Sequence, residues 1–211
     1  MHFTNVLPPR FEYSAIITAF VFACWFLFGT KNNIRARFVV LGLAFTLLAD
    51  LFLVVLYTNQ NDITLAKFGV LAFIFAQLSY IGFVHWGNTK TFKIDVVVRI
   101  CATVVLCLVF AFGSENNTLL VVLVAVYIAN LCTNLIFALV KFRTHHIFAV
   151  ALVLFLLCDV FVGLMFLGHN FSTNWAWVFY IPSQTLIAIS VLISSSSRAT
   201  PRTRNRHLLP R

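Results

Sequence analysis

Two aspartates, Asp50 and Asp159, stand inside long apolar runs, while Glu12, Asp62, Asp95 and Glu115 fall at helix ends or in loops. An aspartate at the centre of a membrane helix costs about 2.5 to 3.5 kcal/mol on insertion scales, so an intramembrane carboxyl calls for a function. The simpler alternative is a hydrogen-bonded Asp that clamps two helices. Two carboxyls close together offer more. Apolar surroundings favour the neutral form, and a neighbouring carboxylate favours it further in one of the two, so one holds a proton while the other is ionised. That is an acid and base pair. It suits hydrolysis through an oxocarbenium-like cation: protonation, charge stabilisation by the second carboxylate, then attack of water.

Other polar residues stand at the same depth. Asp50 lies 13 residues beyond Arg37 and Asp159 13 beyond His146, while Gln77 lies 13 before Lys90, Tyr127 14 before Lys141 and Gln184 14 before Arg198. At about 1.5 Å per residue, all five sit about 20 Å from the boundary those basic residues mark. Helical spacing extends each group along one face: Gly42, Thr46 and Asp50; Gln77 and Tyr80; Tyr127, Asn130 and Asn134; Tyr180 and Gln184. A bundle interior is where such groups belong, since lipid would leave their amides and hydroxyls unsatisfied. The candidate site is therefore Asp50 and Asp159 as catalytic groups, with Gln77, Tyr80, Tyr127, Asn130, Tyr180 and Gln184 binding the substrate. Taken singly, Tyr127 or Asn130 reads as glue between helices. Aromatic walls from 24 Phe, 5 Tyr and 4 Trp suit an acyl or alkenyl chain and can face a cation.

The elements that position these residues follow from composition. Of 211 residues, 61% are hydrophobic and 10% charged, against about 25% charged in soluble domains. Apolar runs place membrane helices near residues 11–30, 36–57, 66–86, 95–113, 118–140, 147–167 and 175–194. The fold expected is all-α, a polytopic transmembrane bundle of seven helices forming one domain over residues 1–194, with a basic disordered tail at 195–211. Lys and Arg fall in alternate loops: Lys31, Arg35 and Arg37; Lys90, Lys93 and Arg99; Lys141 and Arg143; then Arg198, Arg202, Arg204, Arg206 and Arg211. Cytoplasmic loops retain such charge, so the N-terminus is expected outside and the C-terminus in the cytoplasm. The formal charge of +9 is thus topological, and no nucleic-acid partner is expected. The triplets Asn116-Asn117-Thr118 and Asn170-Phe171-Ser172 have a glycosylation pattern but lie too close to the membrane to be used.

Several chemistries are excluded. His2, His85, His145, His146, His169 and His207 lie at helix ends or outside helices, so no metal site or cofactor is expected. Cys24, Cys101, Cys107, Cys132 and Cys158 read as small core residues. Ser79, Ser183 and Ser190 lack a buried base, which argues against a serine nucleophile. Apart from Pro182 no helix is interrupted, unlike most channels and pumps.

Four segments resemble, in order and spacing, the YhhN-like lysoplasmalogenase family. They are Leu47-Leu48-Ala49-Asp50-Leu51-Phe52-Leu53, Gly69 to Ile81 with Gln77-Leu78-Ser79-Tyr80, Phe155-Leu156-Leu157-Cys158-Asp159, and Tyr180-Ile181-Pro182-Ser183-Gln184. The resemblance covers about residues 40–192. It implies hydrolysis of the vinyl ether of a lysoplasmalogen to a fatty aldehyde and a glycerophospho-ethanolamine or glycerophospho-choline. It also implies that the family aspartates correspond to Asp50 and Asp159, and the family's closing Tyr and Gln to Tyr180 and Gln184. The chain departs with Ala49 before Asp50 where the family has Gly, Cys158 before Asp159 where it has Ser, and Gln77 where a His is common. The family pattern has eight helices, of which the first has no expected counterpart here. The partners expected are a lysophospholipid substrate and membrane lipids, in a cell membrane if bacterial or the endoplasmic reticulum if eukaryotic. The alternatives are a non-enzymatic lipid-binding or sensing bundle and a proton-coupled transporter.

Overall fold

The computed structural model describes residues 9–29, 33–57, 62–86, 88–111, 118–166 and 173–196. Among these, seven helices follow one another: α1 (Pro9–Gly29), α2 (Ile34–Asp50, continued by a π-helical segment, Leu51–Tyr57), α3 (Ile63–His85), α4 (Thr89–Ala111), α5 (Thr118–Val140), α6 (Phe142–Phe166) and α7 (Thr173–Ser196). The seven expected helices are all present, and no strand occurs among the described residues. The glycosylation triplets extend outside the described residues, as does the tail beyond Ser196.

All the helices but α5 begin earlier than their apolar runs. α2 starts after Asn33, whose side chain accepts the Ala36 N–H, and α3 after Asp62, which accepts the Thr64 N–H at 2.8 Å. That backbone N–H holds the Asp62 carboxyl below its usual range. α4 starts at Thr89 rather than near residue 95, because Asn88 accepts the Thr91 N–H at 3.2 Å and closes the first turn. Likewise α6 starts at Phe142, with a break in helical geometry at His145. Hydropathy marks where a helix enters the apolar layer, whereas caps decide where it starts. For α4 the difference is chemical: Asp95, expected at a helix end, lies well inside the helix and is fully buried.

Six helices close a ring: α1 packs on α2 and α7, α2 on α3, α3 on α5, α5 on α6, and α6 on α7. α2 also meets α7 across the bundle, and α4 leans on α5 from outside, barely touching α3. Close approach of α2 and α3 needs two glycines. A methyl on Gly42 would overlap the Tyr80 ring, and one on Gly69 would overlap the Leu53 side chain. Leu53 belongs to the π-helical segment, which starts directly after Asp50 and packs on α3. π-helical turns shift the facing of later residues and recur at functional sites.

Five helices carry stretches long and apolar enough to cross a membrane: Ile34–Tyr57, Ile63–His85, Leu119–Val140, Phe142–Leu164 and Trp175–Ile193. The apolar part of α1, Tyr13–Phe28, is shorter. Large apolar side chains cover the outside, including Trp25, Phe28, Ile100, Val104, Leu108 and Val140. A soluble chain would not leave so broad a belt exposed, and lipid stabilises it. The molecule is a multi-pass membrane protein.

Candidate active site

Asp50 ends the α-helical part of α2 and is buried, 3% exposed. Its Oδ2 accepts a hydrogen bond from the Tyr180 hydroxyl of α7 at 2.6 Å. Asp159 of α6 has a matching partner: its Oδ2 accepts from the Tyr127 hydroxyl of α5, also at 2.6 Å. The two carboxyls are close enough for the charge of Asp159 to act on Asp50. Cys158, buried beside Asp159, lies within electrostatic reach of both, and so belongs to the site's surroundings as well as to the core.

An aromatic chain supports both pairs. Tyr127 packs on Phe73 with ring centroids 5.4 Å apart, Phe73 on Phe155 at 5.8 Å, Phe155 on Tyr180 at 5.4 Å and Tyr180 on Trp177 at 5.5 Å. Two χ angles locked by ring packing leave each tyrosine little choice of where its hydroxyl points.

Buried polar atoms without a hydrogen-bond partner in the protein include Thr46 Oγ1, Gln77 Nε2, Tyr80 OH and Gln184 Oε1, together with His85 Nε2 and Arg35 Nε. The Tyr80 hydroxyl faces Thr46 and lies within electrostatic reach of Asp50. Gln184 Nε2 makes only a long bond to Ser183 Oγ, 3.4 Å. A buried polar atom left unpaired costs about 1 to 3 kcal/mol, and a folded chain tolerates few of them. They are the donors and acceptors that a polar guest would satisfy.

A second polar system lies beside the first. Arg99 of α4 is 6% exposed and grips Asp95 with two parallel bonds, Nε to Oδ2 at 2.6 Å and a terminal nitrogen to Oδ1 at 2.9 Å. Its remaining N–H groups go to the Asn130 carbonyl oxygen at 3.2 Å, Asn130 Oδ1 at 2.8 Å and Asn134 Oδ1 at 2.7 Å. A guanidinium has five N–H donors, and here each has its acceptor. His85 Nε2 stands 3.4 Å from Asp95 Oδ1, and His85 Nδ1 is 3.1 Å from Thr91 Oγ1. Nearby, Lys141 Nζ donates to the Val84 carbonyl at 2.8 Å. Partial burial and the Arg35 charge hold Lys141 below the usual lysine range.

The structure thus brings Asp50 and Tyr180 together, and Asp159 and Tyr127, with Tyr80 near Asp50. Asn130, on the same face of α5 as Tyr127, turns to Arg99, and its Nδ2 donates to the Val126 carbonyl at 2.7 Å. Gln77 touches this second system through Asn134, whose Nδ2 donates to Gln77 Oε1 at 2.8 Å. Sequence reasoning missed Asp95, Arg99 and His85 by assigning them to a helix end and a basic loop. The i, i+4 spacing of Asp95 and Arg99 is the signal that would have found them. Among the described residues, no group of three His, Cys, Asp or Glu side chains could hold a metal ion.

Fold and site together define a helical membrane protein with a carboxyl pair at its core, each carboxyl held by a tyrosine. The chain belongs to the YhhN family, whose sequence model matches residues 12–191. No curated protein and no solved structure matches it.

Proposed function

We propose that the chain is an intramembrane hydrolase that cleaves the vinyl ether bond of lysoplasmalogens, giving a fatty aldehyde and a glycerophospho-ethanolamine or glycerophospho-choline. The observation that carries this reading is the pair of carboxyls, Asp50 buried and Asp159 half-buried, each held by a tyrosine hydroxyl at 2.6 Å, on four different helices. One Asp, protonated, gives its proton to the outer vinyl carbon. The cation that forms on the ether-bearing carbon is stabilised by the other, ionised Asp, which then takes a proton from the attacking water. The hemiacetal so formed collapses: its carbon–oxygen bond to glycerol breaks, the glycerol oxygen takes the proton, and the aldehyde leaves. Tyr127 and Tyr180 fix the carboxyls, while Gln77, Tyr80 and Gln184 offer polar atoms to the glycerol end. The aromatic chain from Tyr127 to Trp177 suits both the alkenyl chain and the cation.

The test is aldehyde release by purified protein in detergent from an alkenyl-lysophosphatidylethanolamine, with alkyl-lyso and acyl-lyso lipids as controls. Expected are turnover of the alkenyl lipid alone and its loss in both Asp50→Asn and Asp159→Asn. Folded protein that binds these lipids and releases no aldehyde would make the site a lipid receptor instead.

A further inference from the structure

The contacts of Arg99 decide a question that coordinates alone leave open: which way the amide of Gln77 points. Carboxamide oxygen and nitrogen are told apart by their hydrogen-bond partners. A guanidinium only donates, so the Asn134 atom 2.7 Å from it is Oδ1. Asn134 Nδ2 is then a donor, as its 2.8 Å contact with the Gln77 main-chain carbonyl independently requires. The Gln77 atom it meets at 2.8 Å must accept, and is Oε1. That leaves Gln77 Nε2, in a fully buried side chain, as a donor with no acceptor in the protein. One directed chain, Asp95 to Arg99 to Asn134 to Gln77, fixes this polarity from outside the ring of helices.

We propose that Arg99 and Asn134 are positioning residues that hold Gln77 as a hydrogen-bond donor to the free sn-2 hydroxyl oxygen of the lysolipid, making Gln77 a determinant of specificity. This rests on the lysoplasmalogenase reading and deepens it. Arg99 itself, its five donors already matched, has none left for a ligand. The vinyl ether oxygen is the wrong acceptor, because it turns electron-poor as the cation forms and a donor there would oppose the reaction. The hydroxyl sits one carbon further along the glycerol, beside the reacting bond, and keeps its lone pairs throughout. A pocket built to bond a hydroxyl discriminates strongly against an analogue that lacks it.

The experiment measures kcat/KM of wild type, Asn134→Ala, Gln77→Met and the double variant on alkenyl-lysophosphatidylethanolamine and its 2-deoxy analogue. On the hydroxylated lipid each single variant should lose on the order of 10- to 100-fold, and the double variant no more than either. On the 2-deoxy lipid all four proteins should be equal. Additive losses, or equal losses on both lipids as a purely structural role would give, overturn the proposal. If Asn134→Ala does not fold, Arg99→Lys replaces it, since three donors cannot serve all five acceptors. If wild type releases no aldehyde, the hydrolase reading falls by itself. The same comparison is then made on the Kd of a non-cleavable alkyl-lysolipid and its 2-deoxy form. The same coupling there sustains the relay, and its absence, or no binding by wild type, overturns it.

Discussion

Replacing Asp95 by Ala should be among the most damaging single changes in this molecule, although the residue lies at its periphery on α4. The carboxylate is fully buried and holds Arg99 through bonds of 2.6 and 2.9 Å. Its removal leaves a buried guanidinium with two N–H groups unpaired and no counter-charge. Breaking a buried ion pair from one side costs about 3 to 5 kcal/mol, far more than the pair's net worth, because the remaining charge cannot regain its hydration. For a chain of this size, each kcal/mol corresponds to about 2 to 4 °C in Tm, so the expected loss is about 6 to 20 °C in detergent. The control is Lys93→Ala on the same helix, an exposed position where changes stay within about 0.5 kcal/mol. Thermal unfolding followed by intrinsic fluorescence reads both. If Asp95→Ala melts with Lys93→Ala, the charge of Arg99 is reaching water, and the description of a sealed ion pair is wrong.

Other substitutions probe the centre itself. Tyr180→Phe and Tyr127→Phe each remove a 2.6 Å hydrogen bond to a carboxyl. The bond to the ionised carboxyl contributes about 1.5 to 3 kcal/mol and that to the protonated one about 0.5 to 1.5 kcal/mol, so kcat should fall about 10- to 100-fold in one variant and about 2- to 10-fold in the other, with folding retained; unaltered kcat in both would separate the tyrosines from the chemistry. Gly42→Ala places a methyl against the Tyr80 ring. That ring is fully buried and braced edge-on by Phe148 at 5.4 Å, so it cannot retreat. Overpacking of about 1 to 3 kcal/mol should lower Tm by about 2 to 12 °C, and a wild-type melting curve would mean that the α2–α3 contact is looser than described.

Much of this architecture is legible in the sequence because lipid imposes one strong rule, that apolar runs of about 20 residues become helices. A depth for Asp50, Tyr127, Asp159 and Gln184 can be counted along each helix because every helix rises by the same increment per residue, whereas Gln77 bonds Asn134, two turns from Tyr127. Which polar group meets which cannot be counted in this way. Tyr127, Asn130 and Asn134 read as one face of α5, yet Tyr127 goes to Asp159 while both asparagines turn to Arg99. Spacing gives the face, whereas the partner depends on which helix lies opposite, and α4 comes to rest outside the ring. Arg99 was counted with the basic loops because a charge near a helix end ordinarily snorkels to water. With Asp95 one turn earlier and two asparagines opposite, the ion pair can instead be buried intact.

The two polar systems differ in one respect that separates support from chemistry. Around Arg99 every guanidinium donor has its acceptor, so the guanidinium has no donor left for a guest, although His85 Nε2 beside it makes no hydrogen bond. Around Asp50 and Asp159 the carboxyls are held, but Thr46 Oγ1, Gln77 Nε2, Tyr80 OH and Gln184 Oε1 are not matched by the protein. A bundle selected only for stability would pair these atoms or replace them with apolar groups of the same shape, which is nearly free of penalty. Retaining them in a bundle that also carries two membrane-embedded carboxyls makes sense if the missing partners arrive with the substrate. Gln77 extends the Arg99 network: its oxygen is fixed by Asn134, and its nitrogen is left as a donor without a partner. A rigid outer frame can thus orient a donor at a centre it never touches.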